Sequence, residues 1–188
     1  PLSMGGVPLS IRTFFEPYLR SLGFEPGVGG GTSASPVTSL VPGSAAAAVL
    51  VRGDVDMAAT GTVTVVDNGR VLAFGHPFLG AGALSIPLAA AEILNTMVSA
   101  QRSFKMSATG LTIGEISQDR LTAIAGQLGK ETSLIDVTGQ VRTSAGTHPF
   151  RFEVARDVKL SPRLVAMATA GALAGRIDVG ERGTLRLE

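Results

Sequence analysis

Two histidines, His76 and His148, are the side chains of this chain whose ordinary titration falls near neutral pH. Each stands before Pro-Phe, in "FGHPF" and in "GTHPF". An imidazole can act as a general base when one ring nitrogen faces a nucleophile and the other is held in place. With no cysteine in the chain, thiol catalysis, disulfides and cysteine-ligated zinc are excluded, so the nucleophile would be a hydroxyl. Ser44 in "VPGSA" and Ser103 in "RSFKMS" are the candidates, and Ser103 has Lys105 two residues on, on the same face of a strand. The plainer reading of that pair is two solvated polar residues. The plainer reading of either histidine is a turn residue bonded to backbone.

Other chemistry is thinner. His148 with Glu153 or Asp157 could ligate a metal, but the two histidines lie in separate segments without His-x-x-x-His spacing. "GVGGG" at 27–31 lacks the Lys-Ser/Thr ending of a phosphate loop and reads as linker. Asp54, Asp56 and Asp119 read as ion-pair partners of Arg52 and Arg120, and "GDVD" lacks the further oxygen ligands of a calcium loop. No cofactor is expected.

Composition bounds what can hold such groups. The 188 residues suffice for one sizeable core, with low charge (16%), 24 glycines and a mean hydropathy of +0.33. Sixteen basic and 15 acidic residues, scattered along the chain, give a net charge of +1 and no electrostatic footprint for nucleic acid. No apolar run reaches the roughly 20 residues of a membrane-spanning helix. Pro1 is not an initiator residue, so the chain is expected to begin inside a longer protein.

The expected class is mainly β with a few helices (α+β). Residues 1–43 read as an extended entry, a helix and a Gly/Ser/Pro linker, and 44–188 as a β-rich domain ending in a helix. In the first helix Ile11, Phe14, Phe15, Tyr18, Leu19 and Leu22 share a face, with Ser10 as N-cap and Gly23 as stop. Pro17 predicts a kink there, or a helix that begins only near Glu16. "TVTVVDNGRVLAF" is a hairpin, because Asn68-Gly69 suits a two-residue turn at positive φ. "IPLAAAEILNTMVSA" reads as a helix after Pro87. "FKMSATGLTIGEISQDRLTAIAGQL" and "LIDVTGQVRTSAGTHPFRFEVARDVKL" read as strands and turns. "SPRLVAMATAGALAGRI" reads as a helix capped by Ser161, with Pro162 at its first position and Gly175 at its close. "GTLRLE" reads as a strand cut short.

The hairpin therefore delivers His76 just past its second strand, with Gly75 allowing a bend and Pro77 holding His76 extended. Chymotrypsin-like peptidases carry their base beyond a similar Gly-rich hairpin. The surrounding block, "LVPGSAAAAVLVRGDVDMAATGTVTVVDNGRVLAFGHPFLGAG" with "SFKMS" and "IGEISQDRLTAIAGQLG", resembles the SpoIVB peptidase family. The resemblance covers roughly residues 40–130. It implies a chymotrypsin-like β-barrel arrangement, incomplete in this chain, and His76 as the catalytic base. It also implies an extracytoplasmic location and a polypeptide substrate.

The family's Gly-Met-Ser-Gly-Ser-Pro nucleophile signature has no match here, nor has its acid an assured one; Asp157 in "ARDVKLSPRL" resembles the acid only superficially. The serine is thus expected from a segment upstream of this chain, which alone should be inactive. The alternative is a non-catalytic module binding protein or peptide on the same framework. Exposed strand edges in either case suit the missing upstream part or self-association into a homo-oligomer.

Overall fold

The computed structural model describes residues 2–28, 39–98 and 104–176. In chain order it contains β1 (Leu2–Gly5), α1 (Leu9–Ser21), β2 (Pro26–Val28), β3 (Ala45–Gly53), β4 (Asp56–Asp67) and β5 (Arg70–Ala73). Then follow β6 (Gly82–Met97), β7 (Phe104–Asp119), β8 (Ile124–Leu128), β9 (Leu134–Thr143), β10 (Gly146–Ala155) and α2 (Ser161–Ala174). The protein is mainly β, with one ten-stranded sheet and two helices among the described residues.

The long β3–β4 hairpin organises the sheet. Its open half belongs to a closed cycle of antiparallel pairings, β3–β4–β5–β8–β7–β6 and back to β3. Its tip half belongs to an open run ordered β2–β1–β4–β3–β10–β9. β1 and β5 share one edge of β4, Leu2 opposite Ala59 and Ala73 opposite Val63.

Both faces of the hairpin are covered. Ala46, Ala48 and Leu50 of β3, with Met57 and Ala59 of β4, enter the main core. Ala47, Val49 and Ala58 face the other way, into a second cluster with Ala89 and Ala91 of β6. The β6–β7 hairpin reaches that second face by bending, with register slips at four points along it. The first half of β7 then lies against β4, joined by Thr60–Ser107 (2.7 Å), Lys105–Thr62 (3.2 Å) and Thr109–Asp56 (3.5 Å) hydroxyl contacts.

Several expectations are corrected. "IPLAAAEILNTMVSA" is strand, not helix, through Met97: Ile86, Leu88 and Ala90 face one cluster and Ala89 and Ala91 the other, a period of two, and its last two residues lie outside the described residues. α1 begins at Leu9 after Pro8, so Ser10 is not its cap, and Pro17 sits inside one continuous helix. Phe14, assigned to its inner face, is 76% exposed. Part of the presumed linker is strand β2, with Pro26 opposite Leu2, and Leu40 is in the core. Leu2, Met4, Val7, Leu19 and Phe24 join that same core, so the N-terminal segment packs with the β-rich body.

No side chain caps α2, whose N-cap is Leu160; Asp157 Oδ1 accepts the N–H groups of Lys159 and Leu160 in the turn that leads into it. Ser161 instead accepts the Asp157 N–H and donates to the Ala155 carbonyl. Gly175 closes the helix as expected. So does the Asn68-Gly69 turn its hairpin, at φ 47° and 77°. Residues 29–38, and "GTLRLE", lie outside the described residues.

Burial of Asp56 has a consequence for stability. Loss of water pushes its carboxyl up to about 6, against a weaker opposing hydrogen bond from Thr109. A raised carboxyl favours folding fully below its unfolded value, and that advantage is lost as pH rises through about 6. Asp56→Asn, which keeps the Thr109 contact, should stabilise the protein at pH 7 by roughly 1–3 kcal/mol and by almost nothing at pH 4. Urea unfolding of both proteins between pH 4 and 7 checks this; a difference that is flat with pH would contradict it.

Candidate functional site

His76 sits in the connection from β5 to β6, residues 74–81. The chain reverses there through Phe74 and Gly75, at φ 78° and 71°. Phe74 is not glycine, so its left-handed conformation is strained and must be held from outside. Two contacts hold it. Its N–H donates to the Thr62 carbonyl (2.9 Å), and its ring lies over Gly61, where a Cβ would collide with it. From Phe74 an aromatic row runs inward, edge-on to Phe78 at 5.9 Å and on to buried Phe24 at 5.3 Å. It also runs outward to the His76 ring, 5.9 Å from Phe74.

The rest of the loop is tied across the ring by Asp119, the last residue of β7. Its carboxylate accepts the backbone N–H groups of Phe78 (2.8 Å), Leu79 (2.6 Å) and Ala81 (3.1 Å) while only 1% exposed. An ionised carboxylate meeting three amides is a strong anchor, because each bond is charge-assisted and shielded from water. β7 and β8 continue the ring beyond it, the turn closed by the Arg120 N–H on the Ala123 carbonyl. Asp119 is therefore a loop anchor, and Arg120 bonds Gln118 instead.

On this support the His76 imidazole is exposed, with Nδ1 2.7 Å from the Pro77 carbonyl oxygen. A carbonyl only accepts, so Nδ1 carries the proton, and in the neutral ring Nε2 holds the free lone pair. That tautomer is the one a general base needs. The group fixing it is a backbone carbonyl where a peptidase triad has a carboxylate.

Of the two hydroxyl candidates, only Ser44 lies among the described residues. Ser44 Oγ accepts the Val41 N–H (3.0 Å), closing the turn before β3. Ser103 lies outside the described residues, and Lys105 donates to the Thr62 hydroxyl. The nearby Ser107 is 2% exposed and bonded to Thr60. His148 is on β10 opposite Val141, apart from His76 in the strand order. Its two supposed co-ligands are engaged, Glu153 with Arg52 (2.7 Å) and Asp157 with backbone N–H groups of the turn before α2. Among the described residues no three His, Cys, Asp or Glu side chains gather as a metal site. The acidic residues of the β3–β4 turn differ from expectation too: Asp54 pairs with Arg176 (3.0 Å), while Asp56 bonds Thr109.

Asp119 is the residue that sequence reading passed over as an ion-pair partner. Its only local signal is an acid ending a strand before a tight turn; its partners lie 38 to 41 residues away. No protein-family model, curated protein or solved structure matches this chain.

Asp119→Ala should leave three amides without their acceptor and cost about 2–4 kcal/mol. Hydrogen exchange at Phe78, Leu79 and Ala81 should quicken at least about tenfold, beyond the general loss of stability. Unchanged exchange at those three amides would show that the loop is held by something else.

Proposed function

We propose that His76 is the general base of a SpoIVB-like serine peptidase whose serine belongs to a segment outside this chain. The observation that carries the reading is the imidazole itself: exposed, on a loop anchored at both ends, with Nδ1–H bonded to Pro77 and Nε2 without a partner among the described residues. The closed antiparallel cycle of six strands supports a chymotrypsin-like barrel, with His76 leaving its third strand. The direction of β1 supports a nucleophile from upstream. Leu2 pairs with Ala59, and Phe74 bonds to Thr62 farther along the same edge of β4, so the chain enters β1 from the side of the His76 loop.

In such an enzyme Nε2 takes the serine proton as the hydroxyl oxygen bonds to the scissile carbonyl carbon. The carbonyl electron pair moves onto oxygen, where backbone N–H groups of the serine's own loop stabilise it. Collapse breaks the C–N bond, and His76 returns its proton to the leaving amine. A second step releases the acyl group to water. The substrate is a polypeptide, the chain's own precursor included, and the location extracytoplasmic.

The test joins this chain to the segment that precedes it in its gene and measures hydrolysis of a peptide substrate. The joined protein should cleave, residues 1–188 alone should not, and His76→Ala should lower kcat by about 10²–10⁴ with the fold intact. An unaltered rate in His76→Ala, or an upstream segment without a Gly-x-Ser-Gly-Ser-Pro stretch, would overturn the proposal.

A further inference from the structure

The two ends of the sheet are built differently. At one end β2 is three residues long and starts with Pro26, features that blunt an edge. At the other end β9 is ten residues long and pairs with β10 through ten consecutive positions without a slip. It contains no proline, and no described strand lies on its outer side. Such an edge is a template for another strand.

The phase of the ladder decides which residues face outward. The Arg151 carbonyl accepts the Asp54 N–H, so odd-numbered residues of β10 turn their polar groups to β3 and even-numbered ones to β9. Since Phe150 lies opposite Gly139, the odd residues of β9 are spent on β10. The N–H and C=O groups of Leu134, Asp136, Thr138, Gln140 and Arg142 therefore point to the open edge. The side chains of Asp136, Thr138, Gln140 and Arg142 lie on the outer face, while Ile135, Val137 and Val141 turn inward.

This edge is complementary to itself. Pair it antiparallel with a second β9 so that Gly139 faces Gly139, and the outward-bonding residues meet one another as a ladder requires. In that register Asp136 faces Arg142 of the other copy, twice by symmetry, and Val137 faces Val141 twice. Asp136 already accepts Arg151 (3.0 Å), but a carboxylate has lone pairs for a second guanidinium. Among the described residues Arg142 forms no ion pair. We propose that two copies of this chain associate through β9 in that register, extending the sheet across a two-fold axis at Gly139. One such edge per chain closes the assembly at a dimer.

Sedimentation analysis of the whole chain from about 1 to 300 µM tests it, the range in which association through a single edge is measurable. The wild type should move from monomer to dimer. Arg142→Asp, which sets acid against acid at both symmetric positions, should weaken the dimer at least about tenfold. The double change D136R/R142D reverses both charges and should recover most of that loss. Thr138→Pro deletes an outward N–H and should abolish the dimer while leaving the β9–β10 ladder and the melting temperature close to wild type.

A wild type that stays monomeric throughout overturns the proposal. So does a dimer indifferent to Thr138→Pro, or one that D136R/R142D fails to recover. If the full chain is monomeric while a chain ending at Arg176 dimerises, the edge belongs to residues 177–188 and the proposal falls.

Discussion

A hairpin can be shared by two layers only if what lies between the layers is small. Alanines 46, 47 and 48 of β3 are fully buried, and so are Ala58 of β4 and Ala89 and Ala90 of β6. Stacked sheets filled by medium-sized side chains stand roughly 10 Å apart. Alanine on the second face lets the bent β6–β7 hairpin come down onto β3 and β4 while larger residues, Leu50 and Met57, fill the main core. A larger residue at Ala47 or Ala58 would lift β7 from β4 and strip the hydroxyl contacts that join them. Closure of the ring, the bend of β6 and the burial of Asp56 all follow from this run of small side chains.

The His76 loop depends on the same closure. One end is fixed locally, by Phe74 against β4, and needs Gly61 to be bare. The other end is fixed from the far side of the ring, by a carboxylate on β7 that reaches the loop only because β6 and β7 complete the cycle. A strained residue two positions before the histidine persists because Thr62 and Gly61 of β4 over-determine it. The imidazole is positioned by the ring as a whole, so its orientation is a property of the fold more than of the eight-residue loop.

Local chemistry was legible in the sequence wherever a residue's own backbone preference decides the outcome. The Asn68-Gly69 turn, the bend at Gly75 and the close of α2 at Gly175 are of that kind. Three features were not. "PLAAAEIL" has helical propensity, and it becomes strand because two layers claim alternate residues, which is tertiary context overriding intrinsic preference. Pro17 is tolerated inside α1, where its missing N–H removes one bond from a helix that is otherwise anchored through Leu19. Asp119 binds amides some 40 residues distant, and nothing in its neighbours announces them. Its two supposed alternatives, ion pairing with Arg52 or Arg120, are equally plausible at the level of composition. Of the two hydroxyls weighed as nucleophiles, Ser44 closes a turn by accepting the Val41 N–H, and Ser103 lies outside the described residues.

The shared hairpin also sets the order of events when this chain folds. β3 and β4 are adjacent in sequence and can zip early, as can β6 with β7 and β9 with β10. The pairings that lock them together are remote, Val51 with Val154 and Arg52 with Glu153, about 100 residues apart. Closing loops of that length costs entropy before any contact compensates for it, which makes the assembly step slow and late. Because β3 and β4 each contribute to both the ring and the open run of strands, neither half has a complete edge without the other. The two halves are thus bound to form and to melt as one cooperative unit, with sequence-local hairpins as its transient precursors.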